Sequence, residues 1–255
     1  MISSLSKFAL STGAAVGALL ALANTASAFS FTTNFTGNSP KGDIFLESIQ
    51  IGSTIIDQSV LSYVSAANIV YNDPYTGGNS GAASADIGDN ATTGVKVEDP
   101  SNGDIVTNLG NNNLNNIIDG EDKGSFVIDL TFNKAFNNLF FWERGMNSRL
   151  GVQFLDDLGN VIAGTVLDSS TWDYAGYKID TKEITEAQKV GSYGLNLADL
   201  GVSGRATTVR LYSEKAFNGP DFKVAGATVP EPGTVIGLSA LAGAFFVSRR
   251  RKADA

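Results

Sequence analysis

A regular alternation of apolar and polar side chains marks the middle of the chain. Phe126, Ile128, Leu130 and Phe132 are separated by single residues, among them Asp129. A period of two places the four apolar residues on one face of a β-strand, because successive side chains of a strand point to opposite faces. The pattern therefore predicts a strand that buries one face.

Other apolar runs of strand length are separated by turns rich in Gly, Asn, Asp and Ser. The run 139–142 is the most aromatic and predicts a strand in the centre of a sheet. Residues 152–155 and 161–163 flank the turn-forming segment 156–160, which predicts a β-hairpin. Further strands are predicted at Ile44–Ile51, Ala67–Tyr71, Val209–Leu211 and Phe222–Val224.

Helical patterns are rare in this sequence. Only Thr181–Lys189 and Leu197–Leu200 have helical character, and residues 72–94 and 111–116 are predicted as polar loops. Many short strands with few helices predict one all-β domain, an antiparallel β-sandwich or a jelly roll, without an internal repeat.

The first 28 residues have the three parts of a secretory signal peptide. Lys7 supplies the positive charge, an apolar stretch extends to Ala23, and Ala26 and Ala28 form the small-residue pattern that signal peptidase reads. We expect cleavage before Phe29 and export of the mature protein. A retained membrane anchor is the alternative, although the apolar run is short for the ~20 residues that cross a bilayer.

The C-terminal tail opens with Pro230, Glu231 and Pro232, and neither a helix nor a central strand passes through two prolines. An uncharged apolar run, 234–247, follows and predicts a short transmembrane helix. The chain therefore divides into a signal peptide (1–28), a β-sandwich domain (29–229) and a C-terminal tail (230–255).

A basic cluster ends the tail. It consists of Arg249, Arg250, Arg251 and Lys252. An apolar helix with such an end inserts with the basic residues on the cytoplasmic side, which predicts that the cluster retains the tail in the membrane.

The order of these three parts resembles the PEP-CTERM sorting domain. The resemblance implies that exosortase, an integral-membrane enzyme, recognises Pro230, Glu231 and Pro232, cuts there and passes a transiently anchored protein to the cell surface. A plain C-terminal membrane anchor with a proline-rich stalk is the alternative. Residues 125–132, 138–145 and 217–224 resemble those of cyanobacterial exosortase-dependent surface proteins, which implies a surface location and no established catalytic activity.

Charge and composition exclude several functions. From Phe29 to Val229 the chain carries 13 Lys and Arg against 24 Asp and Glu, so phosphate backbones repel it and nucleic acid is not an expected partner. The chain has neither cysteine nor histidine. This excludes Ser-His-Asp and Cys-His nucleophile systems and Cys/His zinc sites, and we expect no enzyme.

Acidic residues in the predicted loops are candidates for metal binding. They are Asp86, Asp89, Asp119 and Asp122. Calcium prefers carboxylate and carbonyl oxygens, so these residues are candidate calcium ligands. The alternative is ordinary turn chemistry, in which Asp and Gly are common.

Two other groups of residues suggest activities that compete with a purely structural role. Glu143 with Asp156 or Asp157 would make a glycosidase pair of carboxylates, and the alternative for Glu143 and Arg144 is a structural ion pair.

The second group is aromatic. Trp172, Tyr174 and Tyr177 would make a stacking platform for sugar rings, as in an extracellular carbohydrate-binding module acting on polysaccharide, and the alternative is a place in the core or at an edge. The sequence as a whole predicts an exported surface or matrix protein with a structural or adhesive role. A carbohydrate-binding module is the alternative function.

Overall fold

The computed structural model describes residues 28–229 except 38, 93, 183 and 185, so residues 1–27 of the predicted signal peptide and the whole predicted tail lie outside the described residues. Within this range nearly all regular structure is β. The strands are β1 (Ala28–Phe29), β2 (Thr32–Gly37), β3 (Ile44–Ile51), β4 (Thr54–Asp57), β5 (Val64–Asn72), β6 (Ala83–Ile87), β7 (Val95–Val97), β8 (Ile117–Gly120), β9 (Phe126–Phe136), β10 (Asn138–Arg144), β11 (Leu150–Leu155), β12 (Val161–Leu167), β13 (Asp173–Ile179), β14 (Gln188–Asn196), β15 (Ala206–Ser213) and β16 (Phe222–Ala227). One α-helix, α1 (Asn102–Leu109), and three single-turn 3-10 helices, Gln58–Val60, Ser169–Thr171 and Ala198–Leu200, complete the elements.

The described strands form three antiparallel sheets. The largest has the order β1-β14-β10-β16-β8-β6-β7, with β13 also paired to β14. A five-stranded sheet has the order β12-β11-β15-β9-β5, and a three-stranded sheet has the order β2-β3-β4. The all-β, antiparallel prediction is confirmed. The predicted hairpin is also confirmed, since β11 and β12 pair directly across the turn.

The main core lies between the eight-stranded and five-stranded sheets. The alternating residues of β9 point into it, as the sequence predicts, and Phe126 stacks on Phe222 of β16 with ring centroids 6.0 Å apart. Leu139 and Phe141 of β10 face the same core. These contacts join the two sheets into a sandwich.

A second core covers the outer face of the eight-stranded sheet. Phe140 and Trp142, which alternate with the residues that face the main core, pack there against Phe31. The indole Nε1 of Trp142 also donates a hydrogen bond to Thr33 of β2 over 2.9 Å. The three-stranded sheet therefore forms a third layer, which a two-layer sandwich does not contain, and all seven residues of β10 are buried.

Three predictions about local structure are wrong. The α-helix α1 forms at Asn102–Leu109, outside both predicted helical segments. Residues 181–189 do not form a helix: the segment is irregular where it is described, and it enters β14 at Gln188. The predicted loop 72–94 contains β6, which is buried and pairs with β7 and β8. The second helical prediction corresponds to the short 3-10 turn Ala198–Leu200.

Both ends of the described chain lie at one end of the large sheet. Ala28 pairs with Leu195, Leu195 with Leu139, and Leu139 with Gly226. Three steps between neighbouring strands separate the first described strand from the last, a distance of about 14 Å at roughly 4.8 Å per step. The segments that precede Ala28 and follow Val229 therefore leave the domain close together.

Candidate functional site

The C-terminal end of the folded domain is held by one asparagine. Asn137 accepts a hydrogen bond from the backbone N–H of Val229 and donates one to the carbonyl of Val229, both over 2.8 Å. The Thr228 hydroxyl also donates to the Ala135 carbonyl over 2.8 Å. The preceding strand, β16, lies in the interior of the large sheet with all six residues buried. The chain is therefore fixed as far as the residue before Pro230.

The predicted sorting residues themselves lie outside the described residues. They are Pro230, Glu231, Pro232, Arg249, Arg250, Arg251, Lys252 and, in the predicted signal peptide, Ala26. Ala28 is the first described residue and its backbone pairs with β14. In the part of the chain that the structure does describe, no helix has the length and apolar character needed to cross a membrane.

At the opposite end of the large sheet, the buried Arg144 guanidinium contacts the side chains of three aspartates. Its Nη2 lies 2.7 Å from Asp119 Oδ2 and 2.8 Å from Asp221 Oδ2, and its Nη1 lies 3.6 Å from Asp86 Oδ2. Nη1 also donates a hydrogen bond to the hydroxyl of Thr181. The Arg144 side chain is 3% exposed. We call Arg144, Asp86, Asp119 and Asp221 the Arg144 cluster.

Acids outnumber cations in this cluster, and burial, together with this excess of acids, shifts the pKa values. Burial, and then the neighbouring Asp119, raise the pKa of Asp86 to about 7. Burial raises the pKa of Asp221 well above its usual range, although Arg144 opposes the shift. Burial lowers the pKa of Arg144, but Asp221 and Asp119 raise it by more, so the guanidinium stays charged.

Glu143 is buried on the other face of β10, and burial raises its pKa to about 8. The Ser148 hydroxyl and the Met146 backbone amide lie close enough to oppose part of that shift. Asp156 accepts hydrogen bonds from the backbone amides of Leu158 and Asn160 within its own hairpin turn. The structure therefore places Glu143 in the core and does not present it with Asp156 as a facing pair.

The candidate calcium ligands do not share one site. Asp86 lies in β6 and Asp119 in β8, which corrects their predicted position in loops, and both contact Arg144. Asp89 is buried beside Asp180, whereas Asp122 is exposed in a turn. Among the described residues, no group of three or more acidic side chains is arranged to hold a metal ion.

The three candidate sugar-stacking aromatics point in different directions. Trp172 belongs to the main core and donates through Nε1 to the Ser148 carbonyl, and Tyr177 belongs to the second core. Only Tyr174 is half exposed, and its ring lies under the Lys189 ammonium. The three rings therefore do not form one stacking platform. Their positions agree with the alternative, a place in the core or at an edge.

The end of the folded domain coincides with a known signal. Residues 228–252 match the PEP-CTERM protein-sorting motif. The match begins at Thr228, one residue before the last described residue, and it supports an exported protein that is sorted by exosortase. No curated protein and no solved structure matches the chain.

Sequence reasoning missed the partners of Arg144. Asp221 and Asp119 are 77 and 25 residues away from it in the chain. Asp221 is adjacent to the predicted strand at Phe222, and Thr181 begins a segment predicted as a helix, so nothing in the local pattern links either residue to Arg144. The available signal was the charge pair Glu143–Arg144 at the end of an entirely apolar aromatic strand.

Replacing Arg144 by Met is expected to destabilise the protein strongly, because the acids of the Arg144 cluster lose the cation that they share. We expect the free energy of unfolding at pH 7 to fall by about 3–5 kcal/mol. Arg210→Met is the matched control: Arg210 is partly exposed and pairs with Asp129 over 2.6 Å, so its loss is expected to cost about 1 kcal/mol or less. Urea unfolding measures both, and equal losses would contradict a special role for Arg144.

Glu143 is expected to make stability depend on pH. Its pKa is 4.5 in an unfolded chain and about 8 when folded, so the folded protein keeps a proton that the unfolded chain releases. Stability should therefore fall as pH rises from about 4.5 to about 8 and then level off. Glu143→Gln should make this decline shallower, with the raised pKa of Asp86 still contributing up to about pH 7. It should raise the free energy of unfolding at pH 9 by on the order of 5 kcal/mol.

Urea unfolding at pH 5 and pH 9 checks this expectation. Asp157→Asn, at an exposed turn position, is the control and should keep the wild-type decline. A Glu143→Gln protein that declines as steeply as the wild type would show that another group is responsible.

Proposed function

We propose that this chain is a structural or adhesive surface protein that is exported by a cleavable signal peptide and then cut by exosortase at Pro230-Glu231-Pro232. The observation that carries the proposal is the PEP-CTERM motif at residues 228–252, which begins where the folded domain ends. The basic cluster 249–252 keeps the tail in the membrane until processing. The resemblance of residues 125–132, 138–145 and 217–224 to cyanobacterial exosortase-dependent proteins supports the surface location.

The position of the motif constrains how exosortase reaches it. Val229 is the last residue tied to the domain, and Pro230 is the next residue in the chain. The enzyme therefore works directly against the folded domain without a spacer. Because the segment before Ala28 leaves from the same end of the sheet, that end faces the membrane while either terminal segment is anchored.

The edges of the sheets support an adhesive role. Several large apolar side chains that are about half exposed lie on edge strands: Val70 and Tyr71 on β5, Val95 on β7 and Ile162 on β12. An edge strand has unpaired backbone N–H and C=O groups, so apolar side chains on it favour pairing with another chain. These edges are candidate surfaces for self-association in an extracellular matrix.

Sorting is expected to fail when the motif or the basic cluster is changed. Replacing Pro230 and Pro232 by Ala should leave an unprocessed protein in the membrane, and deleting residues 249–252 should release the tail from retention and mis-sort the protein. Mass spectrometry of the surface protein reports both ends at once: the wild type should begin at Phe29 and end near Pro230.

The controls change neighbouring residues only. Gly233→Ala, and deletion of residues 253–255 beyond the basic cluster, should leave sorting intact. Truncation near Pro230 in a host without exosortase would contradict the sorting proposal. Recovery of residues 1–28 on the surface protein would contradict the signal-peptide proposal.

Adhesion is expected to weaken when an edge acquires a charge. Ile162→Lys places a charge on the edge strand β12 and should reduce cell-to-cell clumping or retention in the matrix, because edge charges oppose strand pairing. Leu158→Lys is the matched control, since Leu158 is 87% exposed but lies in the hairpin turn. Equal effects of the two substitutions would argue against edge pairing.

A further inference from the structure

A second pair of buried acids, Asp89 and Asp180, lies close in sequence to residues that contact Arg144. Asp89 is completely buried, and its carboxyl lies within hydrogen-bonding reach of that of Asp180, which is 7% exposed. Asp89 Oδ1 accepts a hydrogen bond from the Ala91 amide, while Asp89 Oδ2 and Asp180 Oδ1 have no hydrogen-bond partner among the described residues. Two buried carboxylates in contact repel each other unless a proton or a cation lies between them.

An uncharged oxygen in the neighbouring polar segment is also left without a partner. Asn115 is completely buried, its Nδ2 donates to the Gly42 carbonyl over 3.1 Å, and its Oδ1 accepts no hydrogen bond from any described residue. The hydrogen bond from Nδ2 therefore fixes the orientation of the Asn115 amide, while the lone pairs of Oδ1 stay unused. A buried amide oxygen without a donor is costly, which points to a ligand that accepts its lone pairs.

Hydrogen bonds tie this segment to the loop of Asp89. Asn116 Oδ1 accepts from the Gly88 amide over 2.7 Å, which places Asn115 next in the chain to a direct partner of the Asp89 loop. The turn that contains Gly42 also contains Lys41. Lys41 lowers the pKa of Asp180 and so opposes part of the increase that Asp89 causes. Lys41 is exposed and leaves the buried oxygens unpaired.

We propose that Asp89 and Asp180 bind a divalent cation with the size and oxygen preference of calcium, and that Asn115 Oδ1 contributes a neutral ligand. All three donors are oxygens, and calcium accepts carboxylate, amide and backbone oxygens in flexible geometry. Two carboxylates make a weak site, of the kind that extracellular modules use at 10⁻⁴–10⁻³ M. Of the four acids that the sequence predicts as calcium ligands, this site contains only Asp89. Calcium binding at this site does not depend on how the tail is sorted.

Calorimetric titration and thermal unfolding test the proposal on mature protein purified from the cell surface and freed of metal by a chelator. Calcium chloride should bind with one ion per chain. At about ten times Kd it should raise Tm by about 3–6 °C, whereas sodium chloride at the same ionic strength should not reproduce the shift. Asp180→Asn should abolish both the heat of binding and the Tm shift.

Three further variants separate this site from its surroundings. Asp122→Asn, at an exposed turn, and Asp86→Asn, in the Arg144 cluster, should keep the calcium response. Asn115→Asp adds a third carboxylate and should lower Kd by about tenfold. If Asp180→Asn does not fold, the calcium affinity of Asn115→Asp tests the proposal instead. An unchanged Kd would mean that calcium binds at another site.

Two further results would overturn the proposal. The first is a wild-type protein with no heat of binding and no Tm shift up to 10 mM calcium, about ten times the weak end of the expected range. The second is a calcium response that survives in Asp180→Asn and disappears in Asp86→Asn or Asp122→Asn.

Discussion

The interaction on which the large sheet depends is the buried ion cluster of Arg144. A guanidinium at the end of β10 contacts acids next to or within β16, β8 and β6, which are the next three strands across the sheet. A buried ion cluster is weak evidence for stability, because removing the charges from water costs as much as their attraction returns. Its physical role here is to define register. A one-residue slip of any of these strands would turn its acid to the opposite face and leave it without the cation.

The same constraint extends to the C-terminal exit. At one end of the large sheet lie Arg144 and Asp221, and at the other end lie Asn137 and Val229. All four are on, or close to the ends of, the same two strands, β10 and β16. Because strands are stiff and fully paired over this length, the register set at Arg144 also determines where Asn137 meets Val229. The sorting motif therefore begins at a position fixed by packing and pairing inside the domain.

Much of the fold was predictable from the sequence because β-strands with one buried face have a local signature. The period of two in β9 and the aromatic run of β10 needed no information from distant residues. Strand β6 was missed because its residues Ala83, Ser84 and Ala85 are small and resemble a loop, whereas the structure uses their size to fit a buried strand. Helix α1 had a readable start, since Ser101 and Asp104 form a capping box, and Ile105 and Leu109 lie one turn apart on its buried side.

The candidate sites divide in the same way. The sorting signal is contiguous in the chain, so its order of motif, apolar run and basic cluster can be read from the sequence. The Arg144 cluster and the Asp89–Asp180 pair are formed by residues from separate strands and loops, and only tertiary structure brings them together. The sequence pointed to Asp86 and Asp119 for their charge but gave no indication that an arginine would neutralise them.

The central position of β16 has a mechanical consequence. If the protein remains attached through its C-terminal end and is pulled from the far end of the sheet, the force runs along β16. Its hydrogen bonds to β10 and β8 are then loaded together in shear. Force applied between the two chain termini acts at one end of the sheet and opens the pairs one after another. The direction of the load therefore decides whether the domain resists tension or peels apart.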